Sequence, residues 1–153
     1  MTLRFAETER LAELLQSKLD VVQELYKLSK RQSDVIGEGN LTHLMRVLAA
    51  KQHLLTSLQE TEQHLAPYRN QDPDERVWKS EQARDSARNI AQECERVLRE
   101  TMLIERQCES EMIARRDQAA EKLQGAHNAT EARRAYGQSN VTKRARFDIS
   151  SES

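Results

Sequence analysis

The sequence predicts an all-α protein: an elongated antiparallel bundle of three long, coiled-coil-like helices followed by a flexible C-terminal tail. Three observations carry that reading. Good helix formers (Leu, Ala, Glu, Gln, Arg) dominate, while aromatics make up 4% of the 153 residues, which with sparse Val and Ile is too little for many strands. Apolar residues recur at steps of three and four, the period of a helix face. Only 4 Gly and 2 Pro punctuate the chain, and the apolar pattern changes at them.

The first helix is expected over about 3–36. Leu11, Leu14, Leu15, Leu19, Val21, Val22, Leu25, Tyr26 and Leu28 fall on a broad stripe along it. Gly37-Glu38-Gly39-Asn40 breaks the stripe, and Asn40 suits the N-cap of the next helix. That helix, about 41–66, carries a heptad seam: Leu41, Leu44, Leu48, Lys51, Leu55, Leu58, Glu62 and Leu65. Two of its stations are polar. Lys51 is expected to lay its methylenes on the core, send its charge outward and pin the register.

Pro67 to Gln71 reads as a turn. Asp72-Pro73-Asp74-Glu75 then carries the signals of a helix start: a capping acid, Pro at the first position and an acid completing a capping box. The third helix is expected over about 74–124, roughly 75 Å at ~1.5 Å per residue. Its seam reads Ala83, Ala87, Ile90, Cys94, Val97, Thr101, Ile104 and Cys108. A four-residue step to Met112 makes a stutter, and Ala119 and Leu123 follow. Beyond Gly125, Thr130 to Tyr136 has the makings of a short helix stopped by Gly137, and the polar remainder reads as disordered when alone. The organisation is thus a helical bundle over 1–125 and a short helix with a tail over 126–153.

The three lengths do not match. Short turns make consecutive helices antiparallel, so residues 74 to about 100 suffice to cover the second helix. The stretch from about 101 to 124 overhangs, yet it carries Met102, Leu103, Ile104, Cys108, Met112, Ile113 and Leu123. An exposed apolar face of this kind marks an interaction site, and Met side chains suit adaptable surfaces. The candidate partner-binding residues are Val97, Met102, Ile104, Cys108, Met112, Ile113 and Leu123, with Tyr136 from the tail. Three occupants account for the face: a client polypeptide, a second copy in a homodimer, or the third helix folding back on itself.

Other function classes find little support. Net charge is −1 with acids and bases interleaved, and Lys143-Arg144-Ala145-Arg146 is too short a basic run for a nucleic-acid backbone. No apolar run approaches the ~20 residues of a membrane span, and the N-terminal segment lacks the apolar core of a signal peptide, so the expected location is cytoplasmic without membrane insertion. Without that signal, the Asn-x-Thr tripeptides at Asn40, Asn128 and Asn140 carry no glycosylation meaning. On one helix Cys94 and Cys108 lie ~21 Å apart and cannot pair with each other; buried reduced thiols are expected, an intermolecular disulfide being the alternative. His43, His53, His64 and His127 should face solvent, and no metal-ligand spacing links them. Carboxylates sit beside Arg and Lys at helical spacings, as in a salt-bridged surface. No catalytic residue, metal or cofactor is expected, and the chain does not read as an enzyme.

Asp34-Val-Ile-Gly-Glu-Gly-Asn-Leu-Thr-His-Leu44, then Val47-Leu-Ala-Ala-Lys51 and His53-Leu-Leu-Thr-Ser-Leu58, resemble the signature of FlgN-type flagellar export chaperones. In that family a small turn precedes a Leu-rich helix with a central Lys, matched by Lys51, and a Leu pair, matched by Leu54-Leu55. Ala135-Tyr136-Gly137 before a polar tail is similar to the family's end, and the long first helix and overall length agree. The resemblance implies a cytoplasmic chaperone that binds the C-terminal helical segment of hook–filament junction (hook-associated) proteins before type III export. Its client contacts would lie towards the C-terminal region, and the export apparatus is a further candidate partner.

Overall fold

The computed structural model describes the backbone of residues 2–151 and the side chains of residues 5–139. Among the described residues it is all-helical, with no strand. Helix α1 spans Thr2–Glu38, α2 spans Leu41–Arg69 and α3 spans Glu81–Ser151; a single 3-10 turn, Pro73–Glu75, lies between α2 and α3. The chain divides into two units, Met1–Ser110 and Glu111–Ser153.

In the first unit, α1 ends where Gly39 takes a φ of 73°, a conformation costly for residues with a Cβ. Asn40 then caps α2, its side-chain oxygen accepting from the His43 N–H at 3.0 Å. The interior is built from Leu11, Leu14, Leu19, Val22, Leu25, Val35 and Ile36 of α1, Leu44, Val47 and Leu65 of α2, and Ala87, Cys94, Val97 and Cys108 of α3. Each fully buried Val or Leu contributes ~1.5–3 kcal/mol of transfer free energy before ordering costs. Contacts between α1 and α2 run in opposite order along the two helices. Ile36 clusters with Leu44, Gln32 accepts from Lys51, Lys18 pairs with Glu62 at 2.7 Å, and Leu14 clusters with Leu65. Along α3 the order follows α1: Cys94 lies against the Leu15 carbonyl, Glu105 bonds Ser29 and Cys108 joins Val35.

The start of α3 differs from the sequence reading. Asp72 does cap, accepting from the Asp74 N–H at 3.0 Å, but the turn stops at Glu75 and Arg76 turns extended at φ −71°, ψ 134°. The chain runs non-helically to Ser80, whose hydroxyl caps α3 by accepting from the Ala83 N–H at 3.1 Å. Tertiary contacts override the local start signal. Thr8 donates to the Val77 carbonyl at 2.9 Å, Arg76 donates to the Tyr68 carbonyl at 2.6 Å, and Trp78 packs on the Leu11–Leu14–Leu65 cluster. These contacts strap the Arg76–Ser80 segment across the end of α1 and α2. Helix α2 also continues through Pro67 to Arg69 instead of stopping near 66.

In the second unit the α3 backbone passes through Gly125 and Gly137, so neither glycine is the helix end the sequence suggested. Nothing lies within 4 Å of where a Cβ would stand at either, so no close approach requires a glycine there. From Met112 to Ser139 every side chain is exposed. Local pairs line this stretch: Arg115–Glu111 at 3.3 Å, Gln124–Asn128 at 3.0 Å and His127–Glu131 at 3.3 Å. Such i,i+4 pairs contribute only ~0.2–0.5 kcal/mol each. The disorder expected of the tail concerns a segment whose side chains from 140 onward, and residues 152 and 153 entirely, lie outside the described residues.

Candidate functional site

The eight residues proposed from sequence as a partner-binding face separate into core and surface. Val97 and Cys108 are core, Cys108 retaining 1% exposure, and Ile104 packs against the Val35–Ile36–Leu44–Cys108 cluster. These three are withdrawn from the exposed face. For Ile104 and Cys108 the correction follows from the start of α3; Val97 precedes the expected overhang and is an ordinary buried seam station. Beginning at Glu81 instead of 74 moves the covered stretch two helical turns along, so cover ends at Cys108 and not near 100. Met102 is exposed, as is its neighbour Leu103, on the sides of α3 turned from the seam. Met112, Ile113, Leu123 and Tyr136 are all exposed, Leu123 and Tyr136 each at 72%.

Within residues 111–139 these four do not share one line. At ~100° per residue, Met112, Ala119, Leu123 and Ala126 fall within a sector about 60° wide. Ile113 stands roughly 100° to one side of Met112, and Tyr136 about 120° to the other. The structure therefore aligns Met112 with Leu123, with Ala119 between them and Ala126 beyond, and sets Ile113 and Tyr136 on flanking faces.

Sequence reasoning missed two features of the first unit. Leu41, Met45 and Leu55 of α2 are exposed, although Leu41 and Leu55 had been placed in the seam. The four-residue step from Leu41 to Met45 was the available signal. The second feature is polar. The Glu105 carboxylate of α3 accepts from Ser29 of α1 at 2.6 Å and from the Lys51 ammonium of α2, which also donates to Gln32 of α1 at 2.6 Å. Lys51 thus turns its charge inward, its side chain 12% exposed, where the sequence reading sent it outward. Partial burial alone would push the Glu105 carboxyl up; hydrogen bonds from Lys51 and Ser29 and the Lys51 charge outweigh it, holding the group below the ordinary glutamate range. The other polar station of the α2 seam is paired too, Glu62 bridging Lys18 and Arg69.

Neither cysteine is in a disulfide and both are buried, and burial leads the causes that raise Cys94 above its ordinary value, so it is a poor nucleophile. Of the histidines, His53, His64 and His127 are exposed, and half-buried His43 meets Arg31 at 3.0 Å. Among the described residues no group of three or more His, Cys, Asp or Glu side chains could hold a metal ion, and no helix is long and apolar enough to cross a membrane. A recess of about 640 Å³ lies where the Arg76–Val77 segment crosses α1 and α2, lined by Thr8, Leu11, Tyr68 and Arg76 with Glu7, Asp72 and Glu75. It contains no nucleophile–base pair. No family model, curated protein or solved structure matches the chain.

Proposed function

We propose that the chain is a cytoplasmic binding chaperone of the FlgN type, holding an amphipathic helical segment of a hook-associated flagellar client before type III export. In this reading residues 2–110 are an antiparallel, coiled-coil-like three-helix bundle, and α3 beyond Ser110 offers the client its apolar side chains. The observation that carries the proposal is the run of exposed large apolar residues at 112–139, where helix formers support the backbone and nothing covers Met112, Ile113, Leu123 or Tyr136. Solvent-exposed apolar groups on an otherwise charged helix are a cost unless a partner helix covers them. The FlgN-like motifs around Lys51 and Leu54-Leu55 supply the flagellar part.

The test is calorimetry of the full chain against the C-terminal helical segment of a hook–filament junction protein. Met112→Asp and Leu123→Asp each place a charge on the aligned face without touching the core. Each variant should bind at least about tenfold more weakly, a loss of ~1.4 kcal/mol, and keep its helical circular dichroism. Undiminished binding by both variants would move the site elsewhere. A stable dimer that protects 112–139 from hydrogen exchange and binds no client would favour a structural homo-oligomer instead.

A further inference from the structure

We propose that a polar layer divides the interior of residues 2–110 into two segments that open independently, and that the segment around Cys108 opens first. The layer consists of Ser29 and Gln32 of α1, Lys51 of α2, and Thr101 and Glu105 of α3. Ser29 and Gln32 of α1 and Thr101 of α3 are buried, Ser29 completely, and Lys51 of α2 bonds both Gln32 and Glu105, so the layer crosses all three helices. On one side of it lie Val35, Ile36, Leu44 and Cys108, with Leu48 against them, while Ile104, between Thr101 and Glu105 on α3, packs on this cluster from the level of the layer. On the other side the interior continues through Leu25, Val22, Val97 and Cys94 to Leu11, Leu14 and Leu65.

Cooperative opening is transmitted by contiguous apolar contact, since parting two apolar layers exposes both to water. A layer of hydroxyl, amide, ammonium and carboxylate groups can be hydrated when its neighbours part, so a break there exposes little apolar surface. The Cys108 segment is also the smaller of the two. The opposite end of the unit is strapped by Trp78, the Thr8–Val77 bond and the Arg76–Tyr68 bond. Glu105, one helical turn before Cys108, is the α3 group that bonds the polar groups of the other two helices here. Its isosteric replacement by Gln leaves the Lys51 charge inside without a counter-charge, and that is the costly way to break such a pair.

The two cysteines report on the two segments, because both are 1% exposed and stand on opposite sides of the layer. Initial rates of thiol modification are measured on the native full chain by mass spectrometry, each divided by that thiol's rate in denaturant. Cys108 should react at least about tenfold faster than Cys94 in the parent protein. Glu105→Gln should accelerate Cys108 by about a further tenfold and leave Cys94 within about twofold. Lys51→Met combined with Glu105→Met removes both charges from the layer and should slow Cys108 towards the Cys94 rate. Equal normalised rates in the parent, or equal acceleration of both thiols by Glu105→Gln, would show one cooperative interior and overturn the proposal. Should Glu105→Gln not fold, the parent ratio and the double variant decide, and a double variant in which Cys108 stays as fast as in the parent also counts against it.

Discussion

Lys51 shows how a single residue departs from its pattern. At a seam station a lysine can turn its charge to solvent, but here Glu105 and Gln32 stand on the neighbouring helices and the ammonium turns inward. Its role in fixing register is strengthened, since the pair forms at only one alignment of α2 with α3. The pairing also gives stability a pH dependence whose sign is defined. The Glu105 carboxyl lies below its ordinary value of 4.5 in the folded chain. Its contribution is therefore present above that value and is lost as pH falls through the lowered folded one. Glu105→Gln removes this contribution, so the melting temperature of the parent should exceed that of the variant at neutral pH, and the gap should close as pH falls below 4.5 and through the lowered folded value. Thermal melts of both proteins across that range measure it. A gap independent of pH would mean that the loss comes from packing and not from the carboxylate.

At the scale of the element, α3 separates what sequence can place from what it cannot. The seam stations Ala87, Cys94, Val97, Thr101 and Cys108 are all buried, because the phase of a helix is set by spacing, and spacing is local. The start is not local. Asp72-Pro73-Asp74-Glu75 has the chemistry of a helix start and makes a turn of one, but Trp78, Val77 and Arg76 gain more from contacts with α1 and α2 than from joining a helix. The Thr8–Val77 bond joins residues 69 apart in sequence, beyond the reach of a window reading. The early start carries over to the candidate site: a helix begun two turns too soon leaves Ile104 and Cys108 in the overhang, whereas they are covered, and Met112, Ile113, Leu123 and Tyr136 are exposed. The polar layer was illegible for a related reason, since Ser29, Gln32 and Glu105 look like surface residues until three helices bring them together. The cap assignment has a direct consequence. Ser80→Ala removes the hydroxyl that accepts from Ala83 and should cost about 1 kcal/mol in urea denaturation. Asp74→Ala, within the 3-10 turn, should cost under about 0.5 kcal/mol. The reverse ranking would restore the helix start to Asp72.

Taken as a whole molecule, the chain distributes stability and exposure unequally between its two units. Among the described residues, every buried one belongs to the Thr8–Cys108 span, whereas from Met112 to Ser139 the helix exposes all of its side chains. An exposed helix relies chiefly on propensity and short-range pairs, and most helical stability in folded proteins comes instead from packing. Two physical consequences are separable in one experiment. A chain ending at Ser110 keeps both apolar clusters, the polar layer and the Trp78 strap, so its thermal midpoint should stay within a few degrees of the parent's, as expected for a change of about 1 kcal/mol or less. The same truncation deletes Met112, Ile113, Leu123 and Tyr136, so binding of the client's helical segment should disappear from calorimetry. A truncated chain that still binds would place the client on the exposed Leu41, Met45 and Leu55 of α2 or on Met102 and Leu103 of α3. A truncated chain that melts far below the parent would show that residues after Ser110 stabilise the first unit, and the division of labour between a packed scaffold and an exposed binding helix would fail.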